Sequence, residues 1–179
     1  MKRIILISLI ALSVLGGTSV KAQKNSMPYH QALGGRGGFI YGLTYRNFYD
    51  RMKAIELIGA YRYKGGSATC VFQFNKQMKR LQDIYWYWGL GLHAGHYNSK
   101  AYYQSSPSWL NSKWSDDYFL SSKPKTSLTT FGIDGMMGLE YVFRVAPVNI
   151  TLDFHPYLDV YRSNGVFYDL ALSIRYIWN

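Results

Sequence analysis

The sequence predicts an all-β chain, an antiparallel up-and-down barrel of about eight strands that cross a membrane. Three observations carry this. Apolar and polar residues alternate over several runs of 11 to 15 residues, longer than the 5 or 6 usual in soluble sheets and close to a tilted spanning strand. Aromatic residues gather near the ends of the apolar faces. The opposite faces carry arginine and carboxylates but no lysine, an unusual composition for a solvated surface.

The first 22 residues are expected to be removed. "MKR" is a basic start, "IILISLIALSVL" an apolar stretch, and "VKA" places Val20 and Ala22 in a small-residue cleavage pattern. Together they read as a secretory signal peptide cut after Ala22, which leaves 23–179 as the barrel domain. No later stretch approaches the roughly 20 apolar residues of a membrane helix. The lone Cys70 lies far from the cleavage site, which closes the lipoprotein route, and it has no second thiol for a disulfide. Lys and Arg number 20 against 10 Asp and Glu. In an exported protein that excess points to anionic lipid headgroups and lipopolysaccharide rather than to nucleic acid.

The strands follow in chain order, since side chains on a strand alternate between faces. "YHQALGGRG" (29–37) alternates weakly and marks a short first strand. "GGFIYGLTYRNF" (37–48) sets Phe39, Tyr41, Leu43 and Tyr45 against Thr44 and Arg46. "KAIELIGAYRY" (53–63) sets Ile55, Leu57 and Tyr61 against Glu56 and Arg62, and "ATCVFQFNK" (68–76) sets Cys70, Phe72 and Phe74 against Gln73 and Asn75. In "IYWYWGLGLHAGHY" (84–97), Trp86, Trp88, Leu90 and Leu92 oppose Tyr85, Tyr87, His93 and several glycines. In "TFGIDGMMGLEYVFR" (130–144), Phe131, Ile133, Met137, Leu139 and Tyr141 oppose Asp134, Glu140 and Arg144. "VNITLDFHPYLDV" (148–160) sets Ile150, Leu152, Phe154 and Leu158 against Asp153, His155 and Asp159. "VFYDLALSIRYIW" (166–178) ends the series, with Asp169 and Arg175 on its polar face. Most connections are short. The one from about 98 to 127 is long, rich in Ser, Lys and aromatics, and is expected on the extracellular side.

A barrel of eight strands has an interior just wide enough for side chains to fill. The polar faces therefore predict a plugged lumen cross-linked by ion pairs among Arg46, Glu56, Arg62, Asp134, Glu140, Arg144, Asp153, His155, Asp159, Asp169 and Arg175, with Arg36 on the same side. From Tyr168 to Tyr176 the apolar face rises roughly 20 Å at about 3.3 Å per residue and a tilt of about 40°, close to the apolar band of a membrane barrel.

At this point the sequence resembles the small outer-membrane β-barrel proteins of Gram-negative bacteria. The resemblance spans nearly all of the mature chain and rests on "ALGGRGGFIYGLTYRNF", on "GIDGMMGLEYVFRVAPVNITLDFHPYLDV" and on the final "ALSIRYIW". It implies eight strands, and so counts the weak first one. It also implies an outer-membrane location and recognition of the last strand by the barrel-assembly machinery. Leu172, Ile174, Tyr176 and Trp178 match that assembly signal, while Asn179 after the aromatic departs from its strict form.

Chemistry is sparse. A hydrolase or acyltransferase needs a nucleophile beside a base with an orienting acid, and no inward Ser accompanies His93 or His155, so no catalytic residue is assigned. His155 with Asp153 and Asp159 is a conceivable cation site, but arginines are the expected partners, so neither a metal site nor a cofactor is assigned. The long connection is the expected binding surface, through Lys100, Tyr102, Tyr103, Trp109, Lys113, Trp114, Lys123 and Lys125: aromatic faces stack on sugars, and Lys binds phosphate. The surface partner stays open. The expected function is non-enzymatic, in envelope structure or surface interaction, with a narrow channel second and a lipid-modifying enzyme third.

Overall fold

The computed structural model describes residues 26–62, 64–79, 81–98, 127–161 and 166–179. Eight antiparallel strands close into a barrel in sequence order. They are β1 (Gln31–Gly38), β2 (Tyr41–Asp50), β3 (Lys53–Arg62), β4 (Gly65–Met78), β5 (Leu81–Asn98), β6 (Ser127–Val142), β7 (Val148–Tyr161) and β8 (Val166–Trp178). Closure is made by β1 on β8, from Gln31 opposite Trp178 to Gly38 opposite Ala171. A closed barrel leaves no sheet edge with unpaired backbone groups.

The turns after β2, β4 and β6 are short and lie at one end with the start of β1 and the close of β8; this is the lower end. β5 ends at Asn98 and β6 begins at Ser127, both at the upper end. The β2–β3 and β4–β5 ladders shift register beside their turns, and the β6–β7 ladder is interrupted further from its turn. Its register shifts between Phe131 and Gly132, and no partners pair across the step from Asp134 to Met137. Pro156, opposite that gap, has no N–H to donate.

Outward residues form an aliphatic belt: Leu33, Leu43, Leu57, Leu90, Leu92, Ile133, Leu152, Leu170, Leu172 and Ile174 are all exposed. Below it stand Trp86, Trp88, Tyr141 and Tyr176, also exposed, with Phe74 stacked on Trp88 at 4.7 Å and Tyr176 on Trp178 at 5.9 Å. Burial is inverted relative to a soluble barrel. The largest fully buried side chains include Arg46, Arg175, Gln73, Glu56 and Glu140.

One placement differs from the alternation. Arg144 does not enter the lumen. β6 ends at Val142, and Arg144 lies in the turn that follows, 62 % exposed, with its Nε donating to Asp83 at 2.6 Å. Alternation holds only while the backbone remains a strand, and here it stops two residues earlier.

Candidate functional site

The lumen is filled in three layers. The lower layer is apolar. Ser26 to His30 run in beneath β1, where Met27 N–H bonds Arg51 O at 3.0 Å and His30 N–H bonds Trp178 O at 3.1 Å. This brings Met27 and Tyr29 into a buried cluster with Phe48, Ala54, Tyr85, Val142 and Ile177. The Tyr29 hydroxyl then points upward and donates to Glu140 Oε1 at 2.5 Å, as does Asn149 Nδ2 at 2.6 Å.

The middle layer is ionic. Glu56 is its hub and accepts from Arg46 Nη2 at 2.7 Å, Gln73 Nε2 at 2.5 Å, Arg175 Nη2 at 2.5 Å and the Thr44 hydroxyl. Arg46 Nη1 reaches Glu140 at 2.6 Å, and its guanidinium lies 4.6 Å from the centre of the Tyr87 ring. Arg36 bonds Asp153, which also accepts from the Tyr87 hydroxyl, and reaches Asp169 at 3.3 Å. Burial of charge on this scale persists only when each charge is paired and hydrogen-bonded.

The upper layer joins histidines to carboxylates. His93 Nδ1 lies 2.8 Å from Asp134, its Nε2 lies 2.7 Å from Asp159, and His155 Nε2 lies 2.8 Å from the other oxygen of Asp134. Arg62 reaches the Tyr157 hydroxyl at 3.4 Å. Above them Tyr97, Leu128 and Phe167 cluster, and Phe167 stacks on Tyr157 at 5.3 Å.

Two rungs share one design. Tyr87, Gly138 and Asp153 are ladder neighbours across β5, β6 and β7, and so are His93, Gly132 and Asp159. In each, the ring and a β7 carbonyl oxygen, Leu152 O or Leu158 O, crowd the space a side chain on the glycine would need. A Cβ at Gly138 would lie 2.7 Å from the Tyr87 ring, and one at Gly132 would lie 2.4 Å from His93. The ring thus leans across β6 to its carboxylate on β7.

Of the lumen residues read from the sequence, Arg46, Glu56, Arg62, Asp134, Glu140, Asp153, His155, Asp159, Asp169 and Arg175 lie on inner-wall positions, and Arg144 alone does not. The cation site considered from His155, Asp153 and Asp159 is not assembled. Asp153 turns to Arg36 and Tyr87, Asp159 to His93, and His155 to Asp134. Reading single strands missed the parts played by Tyr29, Tyr87 and His93. An inward glycine facing an inward ring signals two of them, but only once the register is known. Lys100, Tyr102, Tyr103, Trp109, Lys113, Trp114, Lys123 and Lys125 lie outside the described residues. Leu172, Ile174 and Tyr176 face outward on β8, which Trp178 ends.

No family model matches the sequence, and no curated relative does. Among solved structures, the N-terminal β-barrel domain of Pseudomonas aeruginosa OprF is similar, with a TM-score of 0.57 at 12 % identity, over 86 % of this chain and 97 % of that one. The chain has the fold of a small eight-stranded outer-membrane barrel. Neisserial surface protein A aligns with a TM-score of 0.49 at 14 % identity, over 83 % of this chain and 93 % of that one.

Proposed function

We propose that the protein is an integral outer-membrane barrel of a Gram-negative bacterium that works without catalysis, as envelope structure or as a platform for surface interaction. The observation that carries this is the inversion of burial. Apolar side chains ring the outside, while Arg46, Arg175, Glu56 and Glu140 are buried inside and paired with one another. Outer-membrane lipids and lipopolysaccharide surround the belt, a cleaved segment of 22 residues directs export, and the barrel-assembly machinery reads the outward residues of β8. The connection around 98–127 is then the contact surface.

One observation favours a narrow channel as the second reading. Along the β7–β8 wall, Asn149 Oδ1, Thr151 Oγ1, Ser173 Oγ and Arg175 Nε and Nη1 are buried without a hydrogen-bond partner among the described residues, and such groups attract water.

The test is cellular. Expressed with its leader, the protein should fractionate with the outer membrane and run faster on gels unheated than boiled. Protease added to intact cells should cut within 99–126. Recovery as a soluble periplasmic protein would contradict the proposal.

A further inference from the structure

We propose that Asp159, His93, Asp134 and His155 form a proton-operated latch that ties β5, β6 and β7 together beneath the 99–126 connection and releases them when the His93 ring gives up its second proton. Both ring nitrogens of His93 face carboxylate oxygens, at 2.8 Å and 2.7 Å. An ionised carboxylate only accepts, so satisfying both contacts takes a ring that donates from both nitrogens, which is the imidazolium form. The neutral ring has one N–H and one lone pair, and the lone pair would face a carboxylate oxygen. The latched state therefore holds a proton that the released state gives up, and linkage makes release follow a rise in pH.

The latch sits where the pairing of β6 with β7 is interrupted. β6 and β7 pair continuously only from Gly132 to Asp134 in this region, between the register shift at Phe131 and the gap opposite Pro156. Side chains of Asp134 and Asp159 flank that short stretch, and His93 holds both from β5. β5 and β6 are also the strands that 99–126 connects. Loss of the clasp thus loosens the base of that connection rather than the barrel as a whole.

Other charged and titratable groups face the cluster. On its own strand is Tyr97, within electrostatic reach of Asp134, Asp159 and Arg62. On β7 is Tyr157, 5.4 Å from the His93 ring, and from β3 comes Arg62. Below lie Asp169 on β8, opposite His155, and Arg36 on β1. From β4 the neighbour of His93 is Thr69. The arginines stay charged throughout. The tyrosines are common to every protein compared below.

Hydrogen exchange of the full chain, purified from outer membranes in detergent, tests this when corrected for intrinsic rates. Measurements span about pH 5 to about pH 10, which brackets imidazole titration in folded proteins. In the natural protein, protection of 127–134 and 157–161 should fall about tenfold as pH rises, the effect of one charge-assisted bond, while 138–142 stays unchanged. In H93Q the same segments should be poorly protected at every pH. If H93Q does not assemble, D159N serves, because an amide accommodates the neutral ring and the fall should shrink. Flat protection in the natural protein, or an equal fall in the variants, would overturn the latch.

Discussion

Arg46 on β2 and Glu140 on β6 meet across the lumen at 2.6 Å, 94 residues apart in the chain. In an eight-strand ring these strands are diametrically opposed. The pair therefore spans the full interior, and Arg46 Nη2 bonds Glu56 at 2.7 Å from the same guanidinium. A single planar fork closes the barrel at its middle, which the fixed donor geometry of arginine suits and lysine does not.

Removing one member of this group leaves a buried charge behind. Glu140→Ala should destabilise the folded barrel by about 3–5 kcal/mol, read from urea unfolding in detergent micelles. Arg46→Lys should also lose stability, because an ammonium cannot address Glu56 and Glu140 with parallel donors.

Arg144→Ala is the contrasting case. Its side chain is exposed in the turn after β6, so the unfolding midpoint should stay where it is. A loss comparable to that of Glu140→Ala would show that the turn contributes to the lumen network after all.

How much of this was legible before the structure divides along clear lines. The two-residue period exposed the faces of β2 to β8, because a belt of Leu and Ile outside and Arg, Asp and Glu inside is a strong contrast. β1 was faint because "QALGGRGG" contains four glycines, which signal neither face. Arg144 was misplaced because alternation cannot tell where a strand stops. The pairing of His93 with Asp134 and Asp159 was hidden for a different reason: it depends on register among three strands and on the shift at Phe131, which no single strand records.

The inward glycines make a specific claim. Gly138→Ala should cost about 1–3 kcal/mol by overpacking against the Tyr87 ring and Leu152 O, and truncating the ring in Gly138→Ala/Tyr87→Ala should relieve the ring's share and make the two losses non-additive. Additive unfolding energies would show that the glycine serves some other purpose.

The belt can be tested from outside. Leu172→Arg places a charge at mid-belt, where it should cost about 2–4 kcal/mol in lipid vesicles. Thr151→Arg, on the inward position next to Leu172's ladder partner Leu152, should instead fail by crowding, even in detergent, where the penalty for Leu172→Arg relaxes.

The central claim is that the lumen is closed by its own ion pairs. Single-channel recording of the natural protein in a planar bilayer tests this most directly, with folding confirmed by heat-dependent gel mobility. The account predicts a silent membrane. Stable, discrete openings whose ion selectivity changes with Asp153→Asn, Asp159→Asn or Arg175→Gln would contradict it and make the lumen a pathway.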